Sequence, residues 1–259
     1  MTDRIGDVHI LRDGFVGTVT IDKPPINAVS VELMRDLADA LEMLDKDGVT
    51  RAVVLATEGK VFCAGADLSK RASEVGLDSP TSNPLYDQAV RLYAQKLPIV
   101  AAIQGAAVGA GLGLALAADF RVAAPEARFA ANFTKLGFHP GFGLTYTLPR
   151  LIGRQAAAMM FLTGERYGAE EALRMGLIDE VVSASELLPR ANALAAAIAE
   201  NAPLAVRSTR QTLRADLAAA VRAATDHEFG EQQWLMRTDD FREGVKAVAE
   251  RRPGNFNGR

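Results

Sequence analysis

Three short stretches of this chain set residues capable of chemistry among glycines. Residues 131–143 read ANFTKLGFHPGFG and hold one of the three histidines, His139, but no aspartate or glutamate. An imidazole titrates near neutral pH and can serve as general acid or base, so His139 is a candidate catalytic group. The plainer alternative is a structural histidine in a sharp turn, since Gly137, Pro140, Gly141 and Gly143 force the backbone to bend here. Residues 60–70, KVFCAGADLSK, run from a strand-like end into Ala64-Gly65-Ala66 and then Asp67, which opens a helix-like stretch. Small residues let a ligand approach the backbone, and free N–H groups at a helix start can hold an oxyanion. The alternative is a tight strand-to-helix turn with Asp67 as its N-cap.

Residues 105–119, GAAVGAGLGLALAAD, repeat this strand-to-helix logic with more glycine. Gly109-Ala110-Gly111 looks like the start of a dinucleotide fingerprint, but Leu114 stands where the third glycine is needed. No acid follows at the ribose-binding spacing either, which excludes nicotinamide and flavin cofactors. A close-packed buried helix explains the same residues. Other machinery is missing: there is no nucleophile elbow and no phosphate-binding loop, and His9, His139 and His227 lack metal-ligand spacing. The single cysteine, Cys63, excludes an internal disulfide and reads as a packed thiol.

The elements that must position these stretches alternate in the first half. Val16–Asp22 is β-branched and bounded by Gly14 and Pro24-Pro25, the pattern of a strand. Asn27 and Ser30 offer helix starts, and Val31–Asp45 then places Leu33, Leu37, Leu41 and Leu44 on one face. Ala52–Ala56, Ile99–Ile103, Phe120–Ala124 and Arg128–Ala131 read as further strands. From Arg154 the sequence is Ala-rich and helical in period, broken at Gly164, Gly168, Gly176 and Pro203, and it ends on an amphipathic helix at Asp240–Arg251. Strands and short helices followed by helices imply an α/β domain with a helical appendage. The expected division is a core over 1–195 and a helical region over 196–259.

With 259 residues, 49% hydrophobic and only 6% aromatic, the core must be aliphatic. A net charge of −3 argues against nucleic acid as a partner. The apolar run at 106–118 is glycine-broken and too short to cross a bilayer, and the first residues lack a targeting pattern. A cytoplasmic protein without a membrane partner is expected.

In order, the pieces are KPPINAVS (23–30), VFCAGADLS (61–69), the glycine-rich 98–130, LPRLIG (148–153), TGERYGAEEALRMGLIDEVV (163–182) and DFREGVKAVAERRPGNF (240–256). Together they resemble the crotonase, or enoyl-CoA hydratase/isomerase, family over almost the whole chain. The resemblance implies an α/β, ClpP-like spiral of ββα units with a C-terminal helical trimerisation region, assembled as a homotrimer or a dimer of trimers. It also implies an acyl-CoA thioester whose oxygen sits between two backbone N–H groups, here those of Ala66 and Ala110. Coenzyme A enters as part of the substrate, with no separate cofactor and no metal. It would lie along Ile26–Ala28 and Ala64–Leu68, including Asp67, with Gly111 close by and Phe256 covering part of it.

The chain departs from that family at its acids. Hydratases carry one glutamate in the helix after the glycines and one after the next strand, positions that fall here at Gly113 and Phe133; a third acid site falls at or beside Gly141. The implied function is an enoyl-CoA hydratase/isomerase-like lyase acting on a hydrophobic acyl-CoA, with Phe133 drying the acyl pocket, Phe138 and Phe142 either adding to its wall or packing into the core, and His139 as replacement acid or base. Glu165 and Asp67 are weaker candidates, Asp67 being better explained as a cap and Glu165 as a surface or interface residue. The alternatives are a non-catalytic acyl-CoA binding protein, or a hydrolase or decarboxylase that relies on the oxyanion site.

Overall fold

The computed structural model describes residues 2–66 and 83–259. It opens with an antiparallel meander, β1 (Thr2–Ile5), β2 (Val8–Asp13) and β3 (Val16–Ile21). The first two of these strands add to the one legible in the sequence. Ser30 then caps helix α1 (Val31–Lys46) by accepting a hydrogen bond from the Leu33 amide at 3.2 Å. Asn27 is not a cap. It is buried and donates to the Glu58 and Val61 carbonyls, tying the 23–30 loop to the segment that leads into the site.

Strand β4 (Ala52–Thr57) is followed by α2 (Pro84–Tyr93), β5 (Ile99–Ile103), β6 (Ala106–Val108), α3 (Ala110–Ala117), β7 (Phe120–Ala123) and β8 (Arg128–Ala130). The remainder comprises α4 (Leu144–Ile152), α5 (Arg154–Thr163), β9 (Arg166–Gly168), α6 (Ala169–Arg174), β10 (Glu180–Val181), α7 (Leu187–Ala199), α8 (Pro203–Leu213), α9 (Leu217–Leu235) and α10 (Asp239–Ala249). β9 and β10 interrupt a region whose sequence reads as helical. At three and two residues they are too short to display an alternating pattern.

A seven-stranded sheet runs in the order β1-β2-β3-β4-β5-β7-β10, parallel from β3 onward, and a three-stranded sheet pairs β6, β8 and β9. The parallel strands are buried on both faces, as their uninterrupted apolar sequences require. Val53 and Leu55 join the core that holds α1, while Ala52, Val54 and Ala56 turn to the opposite face. There they meet Leu187, Ala191, Ala195 and Ala199 of α7, whose small side chains let the helix sit close to the sheet. The expected boundary at 195/196 falls inside α7, because this helix is part of the sheet's cover and not of an appendage.

Candidate active site

The centre of the site is three backbone segments stitched side by side. Cys63 donates to the Ala106 carbonyl at 2.9 Å and receives the Val108 amide at 3.0 Å; on the other side Ala64 donates to Ile26 at 3.1 Å and Val29 to Gly65 at 2.9 Å. Residues 63–66 therefore lie between 26–29 and 106–108. Two glycines permit this closeness. Gly65 has φ +97°, and a Cβ there would stand 3.0 Å from the Val108 carbonyl. A Cβ on Gly111 would run into the Cys63 carbonyl, so only glycine lets α3 rest against this segment.

α3 is buried along its whole length and carries no polar side chain. Gly109 caps it at φ +57°, ψ −120°, and Ala110 opens it, so the Ala110 N–H has no intrahelical acceptor. The Ala110 nitrogen lies 3.9 Å from the position of a Gly65 Cβ, which places it beside Ala66. At the far end, Arg214 donates to the Ala117 carbonyl at 3.2 Å and Arg121 to that of Ala118 at 3.0 Å, and both guanidiniums stand by Asp119. Cations at a helix C-terminus complement its dipole and leave the positive end free at Ala110.

A cavity of about 420 Å³ opens at this point. Ile26, Ala64, Ala66, Ala110 and Phe133, all expected in the site, line it, as do Phe138 and Phe142. The Phe133 and Phe138 rings meet edge to face with centroids 5.5 Å apart. Leu85, Leu136, Val245, Val248 and Ala249 complete an apolar wall, the last three supplied by α10 of the same chain. Among the described lining residues the only polar side chains are those of Tyr86 and Asn132.

Several expected site residues lie elsewhere. His139 is not in the lining: its Nδ1 faces the Pro140 carbonyl at 2.9 Å and its ring packs on His227, centroids 5.8 Å apart. The turn that sequence predicted sends Gly141 and Phe142 into the cavity and the imidazole away from it. Phe256 and Glu165 are exposed, and the part-buried Ala28 and the buried Gly111 are not among the residues lining the cavity. Asp67 and Leu68 lie outside the described residues. Cys63 is buried and desolvation pushes its thiol up to about 12, which leaves no thiolate for nucleophilic work.

The glycines at two of the three expected acid positions are not gaps. A Cβ on Gly113 would lie 2.5 Å from Phe142 Cδ1, and one on Gly141 would meet the Tyr86 hydroxyl and stand 2.6 Å from Gln232 Nε2. The Tyr86 hydroxyl donates to Gln232 Oε1 at 2.7 Å, and Gln232 Nε2 donates to the carbonyls of His139 and Pro140 at 2.8 and 3.2 Å. One turn away on α9, the buried Glu228 accepts from the Gly143 amide, the Thr145 amide and the Thr145 hydroxyl at 2.7, 2.9 and 2.7 Å. Burial raises the Glu228 carboxyl to about 7 against the opposing pull of these donors. Glu228 and Gln232 thus shape the loop that carries Gly141 and Phe142. No sequence signal marks either one beyond their i, i+4 spacing in an Ala-rich helix.

The profile of the enoyl-CoA hydratase/isomerase family matches residues 12–259. The chain is 38% identical over 246 residues to a probable enoyl-CoA hydratase of Rhodobacter capsulatus, covering 94% of this chain and 95% of that one. It is 32% identical over 254 residues to the short-chain-enoyl-CoA hydratase of Clostridium acetobutylicum, covering 96% of each. Among solved structures, an enoyl-CoA hydratase/isomerase from Pseudoalteromonas atlantica superposes with a TM-score of 0.88 at 30% identity, over 97% of this chain and 100% of that one. With stitched backbone, glycine-capped buried helix and sheet order all in place, the chain belongs to the enoyl-CoA hydratase/isomerase family and has the crotonase fold.

Proposed function

We propose that this protein binds an acyl-CoA thioester with its carbonyl oxygen between the N–H groups of Ala66 and Ala110 and its acyl group in the aromatic-walled cavity. The observation that carries this reading is the pair of adjacent backbone segments, 65–66 and 109–110, at the edge of an apolar cavity. The reaction is of the enoyl-CoA hydratase/isomerase type. When water adds at the β-carbon, or a proton leaves the α-carbon, negative charge moves onto the thioester oxygen, and fixed donors in a dry site stabilise it. Phe133, Phe138 and Phe142 favour a medium-chain or aryl acyl group over a short polar one.

Phe142, Tyr86 and Gln232 occupy the space that side chains at 113 and 141 would need. This favours a second reading, in which the chain carries out a reaction that uses the oxyanion donors without a carboxylate base, as in decarboxylation, where the electrons of the breaking C–C bond flow into the same enolate. Incubation with a panel of enoyl-, malonyl-type and saturated acyl-CoA esters, followed by mass spectrometry, separates the readings: water gain, carbon dioxide loss or free CoA names the reaction. Retention of every ester unchanged in mass and in double-bond position, the latter followed by ultraviolet absorbance of the conjugated thioester, together with tight binding makes the chain a carrier. Ala110→Pro removes one donor at a helix position that tolerates proline. Turnover should fall by about 100- to 1,000-fold; an unchanged rate contradicts the assignment.

Assembly as a homotrimer or dimer of trimers remains part of this proposal. Leu162, Leu204 and Leu213 are exposed on α5 and α8, and light scattering should give three or six copies.

A further inference from the structure

Of the two polar side chains among the described residues of the cavity wall, Tyr86 is tied to Gln232, but the Asn132 carboxamide makes no hydrogen bond to any described residue. Its place follows from strand register. β6 and β8 run parallel with Val108 opposite Ala130, and the Gly109 amide extends this ladder by donating to the Ala130 carbonyl at 2.9 Å. Two residues beyond that pair on each strand stand Ala110 and Asn132. The carboxamide accordingly sits by the start of α3, its Oδ1 3.8 Å from the position of a Gly109 Cβ. With no described residue fixing it, a half-turn of the amide presents Nδ2 to the same spot. A carboxamide serving the fold would be bonded to it; this one faces the cavity.

We propose that Asn132 is a third hydrogen-bond donor to the thioester oxygen, acting through Nδ2 beside the Ala66 and Ala110 amides. The proposal rests on the amide-pair reading above. It also fits the neighbouring Phe133, whose ring fills the wall and leaves residue 132 as the polar group nearest the helix start.

The test is isotope-edited infrared spectroscopy of octanoyl-CoA, carbon-13 labelled at the thioester carbonyl and bound to the full chain. In the wild type the carbonyl band should shift to lower frequency than in water, and Ala110→Pro should remove most of the shift. Asn132→Ala should leave an intermediate shift, with kcat on the most active ester lowered by about 100-fold and KM within a few-fold. Asn132→Asp, which sets a carboxylate against the developing charge, should be slower still. Thermal unfolding of Asn132→Ala should match the wild type, because no hydrogen bond to a described residue is lost. A wild-type band in Asn132→Ala, alongside a lost shift in Ala110→Pro, overturns the role of Asn132 and leaves the amide pair standing. No shift in the wild type and no effect of Ala110→Pro overturns both.

Discussion

At the start of α3 backbone packs directly on backbone, whereas the loop at 137–145 is shaped by side chains that come from 83 to 93 residues further along the chain. The first region fixes two amides by close packing: Gly65 and Gly111 are there because a Cβ would strike a carbonyl. The second fixes a wall by buried hydrogen bonds, with Glu228 and Gln232 reaching across from α9. A backbone site tolerates little change in its own residues. A side-chain-buttressed loop can be remodelled from afar. The start of α3 is held by backbone packing, and the loop by buried side chains from α9.

The largest expected effect lies in the backbone region. Gly111→Ala sets a methyl against the Cys63 carbonyl, with no flexible side chain to yield. Stability should fall by about 3 kcal/mol or more, measured by urea unfolding. A loss below about 0.5 kcal/mol would mean that the two segments are not pressed together as described.

Next comes the filled acid position. Gly113→Glu must displace Phe142 and should cost about 1–3 kcal/mol as overpacking. Phe142→Ala alone should cost about 3 kcal/mol as a cavity. The double variant should lose clearly less than the sum of the two, since each change relieves the other. Simple additivity would show that the two positions do not share space.

The last effect is a pH dependence in the loop. The Glu228 carboxyl is raised from 4.5 to about 7 in the folded chain by burial. Between these values the folded state binds more protons than the unfolded one, so stability falls as pH rises. The contribution is fully present below about 4.5 and gone above about 7. Glu228→Gln cannot titrate and should flatten that slope in unfolding measured from pH 4.5 to 7.5. A slope equal to wild type would assign it to another group.

The contrast between the regions also explains what was legible in the sequence. Glycines at 65, 109 and 111 carry their reason locally, so the strand-to-helix turn at 108–110 could be read from a short motif, whereas the donor roles of Ala66 and Ala110 come from the family resemblance and stay part of the proposal. α1 was equally plain, from Ser30 and the leucine spacing. The loop could be placed but not resolved: its Gly/Pro pattern predicts a turn, yet which side chains face the cavity depends on α9. His139 drew attention as a titratable group, and the turn points it at His227 instead. Tyr86, Asn132, Glu228 and Gln232 have no local signature, because their roles arise from strand register and helix packing between distant segments. The same holds for α7, whose Ala-rich sequence suits an exposed helix as well as the sheet cover it forms.

The central claim is that two backbone amides hold a thioester oxygen at the edge of a dry acyl cavity. A crystal structure of the protein with octanoyl-CoA tests it most directly. The account predicts the carbonyl oxygen within about 3.2 Å of both the Ala66 and Ala110 nitrogens, with the tail among Phe133, Phe138 and Phe142. A thioester oxygen bonded to neither amide, or a tail lying outside the cavity, would contradict it.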